Sequence, residues 1–308
     1  MSPTFARPVP ADDEGRHAAG DEEFWNESWY FDLSTDDGAF GGWLRMGLYP
    51  NLGATWYNAF FAGPDRALAA VVDLHAPLPA GDDLAVPAAG GTASVRCEEP
   101  FSRWRLTGDA VGRVVDDPED MYRADPGEPT RVAHDLVWED AGTAYPYEVT
   151  TRYEVPCHVR GTVTIGDETI EVIGRGQRDH SWGVRDWWAF GWCWTAGWFD
   201  DGSAMHAADI RMPRFSLPFG YRQDDGVVTV ASGVTASEDT AASGFPRSAR
   251  IDVDGTGFGF AVEPVAMAPV LLTAPDGRVA RFPRALCRYR DDSGRIGYGW
   301  TEWNQPET

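Results

Sequence analysis

Lysine is absent from all 308 positions, so each of the 26 basic side chains is an arginine. Without a lysine amine there is no lysine Schiff base, no anchored pyridoxal group and no lysine of a standard phosphate-binding loop. Cations are also few. The 48 acidic residues leave a net charge of -22, which argues against nucleic acid or an anionic membrane surface as partner. The four cysteines, Cys97, Cys157, Cys193 and Cys287, are too dispersed for a compact metal site or a disulfide framework. Long apolar runs are missing too. The longest aromatic, uncharged stretch, Trp187 to Phe199, is interrupted by glycine and falls short of the roughly 20 residues a spanning helix needs, so no stable membrane insertion is expected. The amino terminus has no basic segment followed by an apolar run, and the chain reads as cytoplasmic.

Common enzyme signatures fail as well. No GxSxG occurs, and Asp179-His180-Ser181, adjacent in sequence, is not a triad, because a triad needs the base between acid and nucleophile in space. Gly174-Arg175-Gly176 opens like a dinucleotide fingerprint but lacks the third glycine and leads into tryptophans, not an amphipathic helix. His180, His206 and Asp209 match no familiar metal-ligand spacing. No cofactor and no metal are expected.

What the chain has is 43% hydrophobic and 13% aromatic content, enough for a folded protein with a substantial core. Short β-type runs punctuated by Gly, Pro and Asp predict an all-β protein with few short helices. Hairpins are expected at Val163-Ile165 and Ile170-Val172 about Gly166-Asp167, at Ile251-Val253 and Phe258-Val262 about Asp254-Gly255, and at Leu271 and Val279 about Pro275-Asp276-Gly277. A fourth runs from Cys287 and Tyr289 through Asp291-Gly294 into Tyr298 and Trp300. Segments 213–220 and 231–244 read as loops or outer strands. Gly42–Leu48 and Leu68–Leu74 are expected strands of the first half. The length favours two domains. The expected division is a flexible leader, or an arm laid on the surface, over 1–20, a β domain over 21–168 and a second over 169–308.

Six of the 14 tryptophans fall between Trp182 and Trp198. In an extended segment Trp188, Phe190, Trp192, Trp194 and Trp198 share one face, while Ala189, Gly191, Cys193, Thr195 and Gly197 share the other. Such a wall either fills a core or lines a pocket for a large apolar ligand. His180 and Trp182 lie on one strand face, with Asp179 and Ser181 on the opposite one. Downstream, Asp209 shares a face with Met205, Ala207 and Arg211, whereas His206 lies with Ile210 and Met212. Asp209 pairs with Arg211 or points into a dry cavity, where desolvation keeps a carboxyl protonated. Asp179, Asp186 and Glu302 are alternative acids. His75 and His134 read as surface or core residues.

The segment Gly174-x-Gly-x-Arg-Asp-His-Ser-Trp-Gly183 resembles the Asp-His-x-Trp-Gly segment of the carotenoid 1,2-hydratase (hydroxyneurosporene synthase) and AttH-like superfamily. That group includes lipocalin-like Diels-Alderases and stress-survival factors. Trp43-Leu-Arg-Met-Gly-Leu-Tyr-Pro50 and Gly297-Tyr-Gly-Trp-Thr-Glu302 agree with the resemblance. It implies two tandem lipocalin-like antiparallel β-barrels with a hydrophobic pocket and no organic cofactor. Its pocket groups fall on His180, Trp182 and Asp209, and the chain departs at Ala207, where the carotenoid branch has a tyrosine.

On these expectations Asp209, His180 and Asp179 act on an isoprenoid alkene in a cofactor-independent hydratase, dehydratase, isomerase or cyclase. Trp182, Trp188, Phe190, Trp192, Trp194, Trp198, Met205, His206 and Trp300 contact the ligand. A lipid or terpenoid carrier and a pericyclase of the Diels-Alderase kind are the alternatives. A hydrophobic small molecule is the expected partner, and the sequence leaves the oligomeric state open.

Overall fold

A computed structural model describes residues 8–81 and 83–307. Among the described residues, apart from three short 3-10 segments, Ala11–Glu14, Pro50–Leu52 and Pro118–Tyr122, the regular elements are all strands. They form two antiparallel sheets of eleven strands each. The first runs, in spatial order, Arg66–Ala76, Ala54–Gly63, Gly41–Tyr49, Trp25–Thr35, Glu168–Val184, Arg152–Ile165, Glu128–Asp140, Arg103–Val115, Gly91–Glu99 and Leu84–Ala88. The short strand Tyr145–Pro146 flanks Arg152–Ile165. Pairing of Leu68–Ala70 with Arg113–Val115 closes this sheet into a barrel.

The second sheet runs Val227–Val230, Phe215–Asp224, Ala204–Met212, Gly191–Phe199, Ile296–Pro306, Arg284–Asp291, Phe258–Met267, Pro246–Asp254 and Gly233–Thr240. The hairpin Val270–Thr273 and Val279–Phe282 hangs from Ile296–Pro306. All four expected hairpins form, and the segments 213–220 and 231–244 contribute outer strands, Phe215–Asp224 and Gly233–Thr240. The all-β, two-unit architecture is the expected one.

The period of two along each strand sorts side chains into three apolar layers. Trp29, Phe31 and Leu33 fill the first barrel, and Leu44, Met46, Tyr57 and Phe61 join them. The intervening Tyr30, Trp43, Trp56 and Phe60 turn outward, where Trp194, Ala196, Leu286 and Trp300 of the second sheet meet them. The far faces of those same strands, with Cys193, Met205, Ala207, Cys287, Tyr289 and Trp303, close the second core. Strand Trp25–Thr35 is therefore buried on both sides along nearly all its length. Indoles stitch the layers by donating to backbone carbonyls across the junction: Trp300 to Leu33 at 2.8 Å, Trp188 to Leu272 at 3.0 Å, Trp198 to Gly176 at 3.0 Å and Trp43 to Ala268 at 3.2 Å. An indole buried with its single donor satisfied gives large area without a polar penalty.

Two expectations are corrected. Residues 8–20 are not a flexible leader: Glu14 is 3% exposed, and its carboxylate accepts from Arg178 Nη1 at 2.8 Å, Trp104 Nε1 at 2.8 Å and the Phe101 amide at 3.0 Å. The segment is pinned by buried charge rather than apolar side chains, while residues 1–7 lie outside the described ones. The strand Glu168–Val184, assigned in sequence to the second domain, pairs with Trp25–Thr35 and Arg152–Ile165 in the first sheet. A hairpin's second strand stays with its first, and the second sheet begins at Gly191.

The paired glycines of the motif have a packing cause. A Cβ at Gly174 would sit 2.2 Å from the Ser34 carbonyl oxygen, and one at Gly176 would sit 1.9 Å from that of Asp32. Both positions need glycine so that the neighbouring strand can approach.

Candidate active site

Between the two sheets lies a cavity of about 440 Å³, within the range of small-molecule sites. Strand Gly191–Phe199 supplies one wall. Trp192 and Trp194, two apart, face into it, with Phe190 and Trp187 from the preceding turn and Ile210, Leu217 and Phe219 from the next strands. The indoles are fixed by their donors: Trp192 Nε1 binds Glu302 Oε1 at 2.7 Å and Trp194 Nε1 binds Glu154 Oε1 at 3.1 Å.

The opposite wall is polar and comes from the first sheet. There Asp179 stands directly across the ladder from Glu154, and Arg152 is directly across from Ser181. Arg152 ties the two acids together, donating from Nη2 to Asp179 Oδ2 and from Nε to Glu154 Oε1, each at 2.8 Å. Two carboxylates on one face cannot both keep their charge cheaply when water is excluded. Burial pushes the Asp179 carboxyl up, Arg152 opposes, and the negative charge of Glu154 adds to the rise, which takes it to about 7. Burial also acts to raise Glu154, but Arg152 and hydrogen bonds from Trp194 and Gln177 outweigh it and hold that carboxylate below its ordinary range. The environments of one acid pair are thus split, and the member that lines the cavity is the one that keeps its proton near neutrality.

Tyr147 also lines the cavity. Its Oη lies 2.7 Å from His206 Nε2 and 3.3 Å from Glu154 Oε1. His206 Nδ1 is 3.0 Å from the Thr195 carbonyl, so Nδ1 donates and Nε2 accepts from the tyrosine. Burial pushes His206 down to about 4, which keeps the imidazole neutral.

The sequence-derived candidates divide accordingly. Asp179, Phe190, Trp192 and Trp194 line the cavity, as do the alternative acids Asp186 and Glu302. Asp186 is engaged by Arg278 at 3.0 Å, and Glu302 by Arg284. Asp209 is elsewhere, on strand Ala204–Met212 but outside the lining: its Oδ2 accepts from Arg211 Nε at 3.1 Å and the Ala236 amide at 3.3 Å. The salt bridge at the strand end is what forms, because Arg211 shares its face. Met205 belongs to the second core, and His206 stands one residue behind Tyr147. Trp188, Trp198 and Trp300 are the stitching indoles described above and do not line the cavity.

His180 and Trp182 also lie apart from it. His180, fully buried, has Nδ1 2.7 Å from the Asp13 carbonyl and Nε2 3.0 Å from Glu27 Oε1. Burial pushes its imidazole down, although Glu27 opposes. His17 Nδ1 is 2.7 Å from the same Glu27 oxygen, and its ring stacks on Trp182 at 3.7 Å. His17, Glu27 and His180 are the described residues whose donors lie close enough, within 4.8 Å, to share a metal ion. His17 and His180 both contact Glu27, and the cluster ties residues 8–20 to the barrel.

Sequence reasoning missed Tyr147, Arg152, Glu154 and the cavity arginines. Register was the available signal for Glu154: counting back from the turn at Gly166-Asp167 sets it opposite Asp179.

The family described as Domain of unknown function (DUF7064) matches residues 10–307. The chain belongs to that family. No curated protein matches it in sequence. Among solved structures it is similar to an AttH-type protein of Nitrosomonas europaea, at 17% identity and TM-score 0.64, over 98% of both chains. CghA is similar at 13% identity and TM-score 0.64 over 98% of this chain and 95% of that one. Kievitone hydratase from Nectria haematococca gives 12% and 0.61 over 91% and 89%. At these identities the likeness is one of fold. Among the described residues no helix is long and apolar enough to cross a membrane.

Proposed function

We propose that the inter-sheet cavity is the active site of a cofactor-independent enzyme that protonates an alkene of a hydrophobic, isoprenoid-like substrate. The observation that carries this reading is Asp179: a carboxyl in an aromatic cavity, held near neutrality by burial and by the acid opposite. General acid catalysis needs a group still protonated at working pH yet able to release its proton, and a pKa near 7 meets both demands. Asp179 Oδ–H adds to one alkene carbon and leaves a tertiary cation on the other. The carboxylate left behind remains ion-paired to Arg152. The faces of Trp192 and Trp194 hold the cation, each desolvated ring contributing about 2 kcal/mol. Capture by water gives net hydration, loss of a neighbouring proton gives an isomer, and attack by an internal nucleophile gives a ring. Among the structural neighbours, one named a hydratase is consistent with the first outcome.

The test is incubation in deuterium oxide with a panel of prenylated phenols and terpenoid alkenes, with mass spectrometry of the products. Deuterium on the former alkene carbon supports the reading; unlabelled product rejects it in favour of a pericyclase, and tight ligand binding without turnover across the panel rejects it in favour of a carrier. Asp209→Asn is the internal contrast: since Asp209 is outside the cavity and bound to Arg211, turnover should stay within about twofold of wild type once the folded fraction is matched, as for sites remote from the chemistry. A loss as large as that of an Asp179 variant would return the acid role to Asp209.

A further inference from the structure

Four arginines line the cavity, and only two are matched by acids. Arg152 is neutralised by Glu154, and Arg284 by Glu302. Arg45 and Arg185 form no ion pair among the described residues. Arg45 donates from Nη2 to Tyr49 Oη at 3.2 Å and lies with its guanidinium 5.0 Å from the Trp187 ring centre. Arg185 donates to Thr150 Oγ1 at 2.9 Å and to the Val184 carbonyl at 3.1 Å. All these partners are neutral. In a chain with 48 acids to 26 arginines, two cations left without a carboxylate beside an aromatic cavity are a local excess that the overall composition opposes. A partly buried cation with neutral neighbours pays desolvation without a matching charge. Burial, with Arg152 nearby, accordingly pushes Arg185 down to about 10, still fully charged at neutral pH.

We infer that the substrate is an apolar acid whose carboxylate binds between Arg45 and Arg185 while its hydrocarbon body lies along Trp187, Phe190, Trp192 and Trp194. This rests on the cavity being the substrate site and specifies the substrate's class. Arginine offers a planar fork of donors that matches a carboxylate. Both arginines lie on the side of the first sheet and its exit, in strand Gly41–Tyr49 and just after Val184, whereas the indoles come from the second. An acid held there brings its chain past Asp179, whose own charge already responds to Arg45. A bound anion at that point disfavours ionisation of Asp179 further, which keeps the acid protonated when substrate is present.

The experiment is titration of the whole protein with all-trans-retinoate and, separately, with its methyl ester, read as quenching of indole emission. Retinoate should bind about tenfold or more tighter than the ester, the ratio expected for charge-assisted hydrogen bonds. The double variant Arg45→Gln/Arg185→Gln should bring the two ligands within twofold by weakening the acid alone, and unchanged ester binding reports an intact cavity. Equal binding of acid and ester by wild type, or equal weakening of both by the double variant, overturns the inference and leaves the alkene-protonation reading standing. No quenching by either ligand also overturns the inference, and the alkene-protonation reading is then decided by the deuterium test alone.

Discussion

Asp179→Asn is expected to lower kcat, on whichever alkene of the panel takes up deuterium from solvent, by roughly a thousandfold, in the middle of the range for loss of a positioned general acid. Ligand affinity should change little, because the amide keeps the shape of the wall and can still accept from Arg152. The loss should therefore fall on kcat and on kcat/KM together, the signature of an interaction made in the transition state. The wild-type rate should be greatest while Asp179 is protonated and fall tenfold per pH unit above about 7. The groups facing it, Arg152, Glu154, Arg45 and Arg284, set that midpoint, so Glu154→Gln should lower it by removing the opposing charge. A drop of less than tenfold in kcat for Asp179→Asn, with an unshifted pH profile, would mean that the proton comes from elsewhere.

The same carboxyl leaves a mark on stability. Its folded pKa lies above its ordinary value of 3.8, so the folded state binds more protons than the unfolded state between roughly pH 4 and 7. Stability from this group is present below that window and is lost as pH rises through it. His206, pushed down to about 4 by burial, has the opposite slope below its ordinary value. The diagnostic quantity is the difference between wild type and Asp179→Asn, which should move in favour of the variant as pH rises from 4 to 7.

Glu14→Ala should be the most destabilising single change near the amino terminus, at about 3–5 kcal/mol, the range for breaking a buried ion pair from one side. Its removal strips an acceptor from Arg178, Trp104, the Phe101 amide and Tyr153 at once. Arg178 retains Asp140, at 2.6 Å, which keeps the cost from rising further. For a chain of this size the melting temperature should fall by roughly 10 °C, and Glu14→Gln should recover part of it as a neutral acceptor. Differential scanning calorimetry checks this, and a fall of under 2 °C for the alanine variant would show that residues 8–20 are not held as described.

The fold was legible wherever a two-residue or three-residue turn separated alternating apolar runs, because turn geometry and pleat are local. The tryptophan segment was half legible: alternation correctly put Trp192 and Trp194 on one face, but not what that face meets. Trp188, Trp198 and Trp300 belong to the same aromatic set and yet serve as inter-sheet stitches, a distinction that depends on which carbonyl each indole reaches. Glu14 and Arg178 are 164 positions apart, and no periodicity connects them. Asp209 looked like an isolated acid in an apolar strand, although Arg211 on the same face was sufficient to claim it. Asp179 gained its special environment from Glu154, a cross-strand neighbour that register alone could have supplied.

The central claim is that a protonated Asp179 faces a ligand-accepting cavity, and isotope-edited infrared difference spectroscopy on aspartate-labelled protein tests it most directly. Subtracting Asp179→Asn from wild type near pH 5.5 should leave the carbonyl stretch of one protonated carboxylic acid, which fades above pH 8 and shifts when retinoate is added. A flat difference spectrum at pH 5.5, or a band indifferent to the ligand, would contradict the account.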